Sequence, residues 1–117
     1  MSLVSYGYSN GIPRDVAIVF DCLFLPNPHW IEELRPLSGL DEPVATYVLN
    51  QESAQHFLAD VCSLLEWQIP AFANEGKAYL SIAIGCTGGR HRSVAIAEEI
   101  RRRLKIPNAV LHRDIAR

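Results

Sequence analysis

Apolar positions along the chain recur at two spacings, every second residue or every third to fourth, and the switch between them divides it into strands and helices. Leu3-Val4-Ser5-Tyr6 is short, apolar and followed by the turn signal Gly11-Ile12-Pro13, so residues 3–6 are expected to form a first strand. Residues 16–24 make a stronger strand run that ends at Pro26-Asn27-Pro28. Residues 31–42 carry Pro36, Gly39 and several charges in no sustained period, and read as a long connection with one helical turn. Asn50 is placed to cap a helix in which Phe57, Val61, Leu64 and Leu65 keep the helical period until Pro70 bends or stops it. Residues 79–84 then read as a buried strand. Residues 93–104 read as a helix with Val94, Ala97, Ile100 and Leu104 three or four apart, and Ala109–His112 as a short last strand. This alternation predicts an α/β fold: one compact domain over residues 1–117, its mainly parallel or mixed sheet of about four strands packed with two main helices.

A chain of 117 residues suits a single core. No run approaches the roughly 18 apolar residues of a membrane span, and the N-terminus lacks a basic-then-apolar signal pattern, so a cytoplasmic protein with no membrane partner is expected. Cys22, Cys62 and Cys86 form an odd trio without CxxC spacing, so neither a disulfide framework nor a metal site is expected, and no cofactor motif is present. The net charge of −2 conceals a split. Residues 1–85 sum to −7 and residues 86–117 to +5, an asymmetry that marks either an anionic partner at the basic end or arginines balanced by the acidic half of the same fold.

The densest chemistry lies between the strand over residues 79–84 and the helix over 93–104, where Cys86-Thr87-Gly88-Gly89-Arg90-His91-Arg92-Ser93 joins the two. Amides at a helix start have no partner within the helix, the dipole is positive there, and a glycine pair lets backbone approach a ligand, so the run is expected to cradle a phosphate. In parallel sheets ligands bind beyond the carboxyl ends of strands. The loops after residues 21 and 86 would then open on one edge and bring Asn27 and His29 to Thr87, His91 and Arg92. Cys86 and Arg92-Ser93 also match the C-x5-R-[ST] spacing of cysteine-dependent phosphatases, in which a thiolate attacks phosphorus and the arginine grips two oxygens. That reading needs an acid, for which Asp21 and Asp41 are the candidates by loop position. Cys86 is read first as a small buried residue at a strand end and second as a nucleophile. Arg92 has a structural alternative as the partner of Glu98 or Asp21.

Five separated blocks carry a wider likeness: Gly11-Ile12-Pro13, Phe20-Asp21, Phe24-Leu25-Pro26-Asn27-Pro28-His29-Trp30, Leu34-Arg35-Pro36-Leu37-Ser38-Gly39-Leu40-Asp41 with Pro43-Val44, and Ile84-Gly85-Cys86 through Val94. On these the chain resembles the C-terminal domain of the RapZ/YvcJ family of bacterial RNase adapter proteins over nearly its whole length. The resemblance implies a regulatory domain rather than an enzyme. In the family this domain follows an N-terminal P-loop domain and is implicated in binding small regulatory RNA and sensing glucosamine-6-phosphate. It implies a ligand pocket that uses His29, Thr87, Gly88, His91 and Arg92, within the wider candidate set of Asn27, Cys86, Gly89, Arg90 and Ser93. RNA would fall to Arg101, Arg102, Arg103, Lys105, Arg113 and Arg117, although no Phe, Tyr or Trp accompanies them for base stacking. A homo-oligomer is a further expectation. The chain departs from the family at Leu23 and Ser9, where arginine and lysine are common, in having no GxxxxGK[ST] run, and in ending without a lysine- and arginine-dense tail.

Overall fold

A computed structural model describes residues 1–77 and 79–117. Four strands, β1 (Ser2–Gly7), β2 (Ile18–Asp21), β3 (Ser81–Cys86) and β4 (Ala109–His112), form one sheet in the order β2-β3-β1-β4. Every pairing is parallel. Three helices complete the α/β fold: α1 (Glu42–Leu49), α2 (Glu52–Asn74) and α3 (Arg92–Arg103).

Strand register explains the core. Leu3, Ile82, Ile18 and Val110 lie in one row across the sheet, and Ser5, Ile84, Phe20 and His112 in the row two residues on. Because side chains alternate, both rows face the same side. On the inner strands Leu3, Ile82 and Ile84 are fully buried, whereas Ile18, Phe20 and Val110 at the two edges are half-buried. The intervening row, Val19, Ala83, Val4 and Leu111, leaves Val19 and Leu111 exposed at the edges.

α3 is the hub. It packs on β1, β3, β4, α1 and α2, so every residue from Arg92 to Ala97 is buried, not only those on an amphipathic stripe. In α2 the buried line is Ala54, Leu58, Val61, Leu65 and Ile69, one step round from the expected face, and Phe57 and Leu64 are half-buried on its flank.

Several boundaries differ from expectation, among them the strand expected over residues 79–84, which is found at Ser81–Cys86. Asn50 ends α1 instead of opening α2, its amide bonding the Thr46 carbonyl, and Gln51 stands at the start of α2. Pro70 does not stop α2, which runs one further turn to Asn74. A helical proline removes one backbone bond, and burial of Ile69 with packing of Phe72 against the core holds the last turn in place. The strand expected over residues 16–24 is confined to Ile18–Asp21. Among the described residues no helix is long and apolar enough to cross a membrane.

Candidate functional site

Because β2 and β3 are parallel neighbours, the loops that follow them open on the same sheet edge. Between them lies a cleft of about 390 Å³, at the small end of ligand-sized cavities. Asn27 and His29 line it from the loop after β2, and Cys86, Thr87, Gly88, Arg90, His91 and Arg92 from the glycine loop. Arg35 and Arg117 complete the wall, and among the described residues no acidic side chain lines it. Gly89 and Ser93, expected in contact with ligand, stand behind the surface.

The glycine loop is shaped by what lies beneath it. Gly89 has φ +78°, and a Cβ there would sit 2.7 Å from the Tyr6 carbonyl carbon and 2.9 Å from the Asp114 Cβ. Gly7 is equally confined, since its Cβ would fall 2.6 Å from the Gly89 amide nitrogen. Strand β1 therefore ends in glycine so that the loop can lie directly on it. Gly88 has open space around its Cα, on the cleft side. The Thr87 carbonyl accepts the Ser9 amide at 3.1 Å and the Ser9 hydroxyl at 2.9 Å, so the residue in the lysine-favoured position buttresses the loop. Amides 87–91 donate to no protein acceptor among the described residues.

The C-terminal turn locks the loop from the other side. Asp114 is fully buried and accepts from the Gly7 amide at 2.7 Å and from Arg113 and Arg117. Burial opposes its charge, but the Arg113 and Gly7 hydrogen bonds and the two arginine charges outweigh that and hold its pKa below the usual carboxylate range.

Arg92 is 5% exposed and points in two directions. Its Nη1 donates to the carbonyls of Leu25 at 3.0 Å and Leu23 at 3.2 Å, which ties α3 to the loop after β2. Leu23 thus acts through its carbonyl, whatever its side chain. The other edge is nearly free: Nη2 makes one long contact to Thr87 Oγ1 at 3.3 Å, and the buried Nε has no partner. Neither Glu98 nor Asp21 pairs with it. Glu98 instead bonds His112 at 2.6 Å, and Asp21 closes a turn on the Leu23 amide, outside the cleft lining. Asp41 likewise accepts from Ser38.

The connection over residues 31–42 is a strap across the start of α3. Gly39 donates to the Arg90 carbonyl at 2.8 Å, and a Cβ on Gly39 would meet the Ala95 nitrogen at 2.6 Å. Arg90 answers by donating to the Pro36 and Leu37 carbonyls. His91 is buried against Leu37, whose carbonyl its Nε2 meets at 2.7 Å. A carbonyl can only accept, so that nitrogen carries the proton. Burial, with the Arg90 and His29 charges, lowers its pKa against the pull of its backbone bonds. Asn27 caps the short turn that carries His29, accepting the His29 amide at 3.0 Å, and Arg35 donates to the His29 carbonyl.

Cys86 is buried at the end of β3 with its sulfur 3.2 Å from the Ser93 hydroxyl and 3.4 Å from the Ser93 amide, so it takes the place of a missing cap on α3. Cys22 lies fully buried on the neighbouring strand end, and burial pushes its thiol far up.

The arginine-rich end of α3 is largely self-paired. Arg102 and Arg103 both bond Glu99, and Arg113 and Arg117 share Asp114. Among the described residues the ion pairs of the basic segment are therefore local to it and do not draw on the acidic half. Arg101 and Lys105 are exposed at that end of the helix.

The model for the RapZ C-terminal domain matches residues 1–116. The chain belongs to the RapZ C-terminal domain family. A nucleotide-binding protein of Frankia alni is 51% identical over 119 residues, covering 99% of this chain and 41% of that protein. A nucleotide-binding protein of Corynebacterium diphtheriae is 50% identical over 121 residues, covering 100% and 40%. One of Thermobifida fusca is 47% identical over 119 residues, with 99% and 40% covered. This RapZ C-terminal domain thus spans about two fifths of the length of the curated relatives it matches. Arg35, Gly7 and Asp114 escaped the sequence reading, and Arg117, assigned there to RNA, belongs to the cleft lining. Arg35 falls inside one of the family-like blocks, and that was the only signal that could have found it.

Proposed function

We propose that this domain is a regulatory module that recognises the phosphoryl group of a small phosphorylated molecule, an amino-sugar phosphate by the family resemblance, in the cleft between the glycine loop and His29. The observation that carries the reading is Arg92. The guanidinium of this buried residue is fixed at Nη1 while Nε has no partner among the described residues and Nη2 has one long contact; Arg92 helps to line the cleft, and two parallel donors of this kind match two oxygens of a phosphoryl group. Four arginines and two histidines line the cleft with loop amides that have no protein acceptor and the start of α3 beside them, and among the described residues no acidic side chain belongs to that lining. The cleft's volume suits a monosaccharide phosphate better than an extended chain.

Nucleotide binding is said of the relatives. This chain has no GxxxxGK[ST] run, so for it the proposal stops at phosphoryl recognition. Small regulatory RNA is the second partner the family implies, and it would meet Arg101, Lys105 and the outer edges of the Glu99-bound arginines.

Calorimetry on the whole chain tests the main reading. Inorganic phosphate and glucosamine-6-phosphate should bind at one site, and unphosphorylated glucosamine should not. Equal binding of sugar with and without phosphate would refute phosphoryl recognition.

A further inference from the structure

We propose that the cleft also supports phosphoryl transfer, with Cys86 as the nucleophile towards a phosphate monoester. The inference rests on the anion-binding reading and adds a reaction to it.

Three observations carry it. The first is the placement of Cys86, a buried residue of the cleft lining at the carboxyl end of an inner strand. Ser93 meets that sulfur with both its amide and its hydroxyl. The hydroxyl accepts the thiol proton at rest and can rotate to donate once that proton has left, so a thiolate here would have two donors.

The second is the free edge of Arg92. This side chain is more than nine-tenths buried, it lines the same cleft, and its Nε lacks a partner while Nη1 is pinned to two carbonyls. A guanidinium edge held this way would bind two non-bridging oxygens and leave phosphorus open to the sulfur. The third is the acid. Asp21 and Asp41 are committed to their own turns, whereas His29 lines the cleft with its ring centroid 6.4 Å from that of His91.

The steps balance without a further reagent. The thiol proton leaves to solvent, and a sulfur lone pair forms an S–P bond as the P–O bond of the ester breaks. The leaving oxygen keeps that bond's electrons and takes a proton from the His29 imidazolium. Water then attacks phosphorus, the S–P electrons return to sulfur, and the water's proton restores His29. The products are the alcohol and inorganic phosphate.

The whole chain, its Cys86→Ser variant and its His29→Asn variant are assayed with p-nitrophenyl phosphate and an alkyl phosphate, and inorganic phosphate binding is measured on each. The parent is expected to turn over, to carry one phosphoryl group on Cys86 after acid quench, and to lose both in Cys86→Ser while phosphate binding persists. His29→Asn should slow the alkyl ester more than the nitrophenyl ester, whose leaving group needs little acid. A parent that binds phosphate but neither turns over nor forms phosphocysteine overturns this inference and leaves the binding reading standing. A parent that binds no phosphate overturns both. Turnover surviving in Cys86→Ser overturns the role of the sulfur. The quenched intermediate is read on the parent, so the test holds even if the serine variant fails to fold.

Discussion

Replacing Arg92 by methionine separates the two edges of its guanidinium. Methionine keeps the stem's length and apolar contacts but removes donors to the Leu23 and Leu25 carbonyls and to Thr87 Oγ1, at 3.2, 3.0 and 3.3 Å. A hydrogen bond from a charged donor contributes about 1.5 to 3 kcal/mol, and these distances place all three near the lower end. Relief from burying a charge at a site 5% exposed offsets part of the loss. The net expectation is a destabilisation of about 2 to 3 kcal/mol, or roughly 8 to 12 °C in Tm for a domain of this size. Urea unfolding followed by the fluorescence of Trp30 and Trp67 measures it, and the midpoint should fall with the slope unchanged. Phosphate adds a second readout, because a ligand at a hundred times its Kd stabilises the parent by about 2.7 kcal/mol. The variant should gain almost none of that. A variant within about 0.5 kcal/mol of the parent, or one that phosphate protects equally, would refute the division of Arg92 into an anchoring edge and a ligand edge.

Further substitutions probe the surroundings. Gly88→Ala should leave stability nearly unchanged, because its Cβ meets nothing within 4 Å, yet weaken phosphate binding from within the cleft; Gly89→Ala, at φ +78° against the β1 backbone, should cost about 2 to 4 kcal/mol on thermal melting. Asp114 has a folded-state pKa below its unfolded value, so its stabilisation is complete above about pH 4 and is lost as pH falls through the lowered folded value. Asp114→Asn should be less stable at neutral pH and show a shallower acid limb in unfolding curves. RNA affinity of the domain should be weak and fall with salt. Arg101→Glu with Lys105→Glu should reduce the logarithmic salt slope by about 0.7 per lost contact, and an unaltered slope would mean that the helix end serves the fold.

Sequence pattern foretold the elements whose signals are contiguous. The apolar run ending at Ile84, the glycine pair and the period after Ser93 are each local, and they specify β3, the loop and α3 without reference to distant chain. Helix α1 was missed because its two turns follow an aperiodic stretch, with Pro43 in the first turn, and because Asn50 reads equally well as the end of one helix or the start of the next. Pro70 misled for a different reason. Its cost is local, but the burial of Ile69 and the packing of Phe72 that offset it are tertiary.

At the site, the residues of the glycine loop were legible, and the way they are held was not. Arg92 is anchored by backbone carbonyls of Leu23 and Leu25, and His91 and Arg90 by those of Leu37 and Pro36. Any residue type supplies a carbonyl, so no sequence pattern marks those partners. Arg117 and Asp114 reach the cleft and the loop from the end of the chain, through β4 pairing beside β1. The charge split was visible too, but its interpretation turned on Glu99 and Asp114, acids that lie inside the basic segment.

The central claim, that the loop between β3 and α3 is a phosphoryl site built around the free edge of Arg92, is tested most directly by titrating the 15N-labelled chain with inorganic phosphate and following backbone amides together with arginine Nε–H signals. The account predicts that amides 87–91 and Arg92 Nε–H shift together along one saturating curve, and that Arg92→Met abolishes the response. Shifts confined to the exposed end of α3 at Arg101 and Lys105, with the loop amides and Arg92 unmoved, would contradict it.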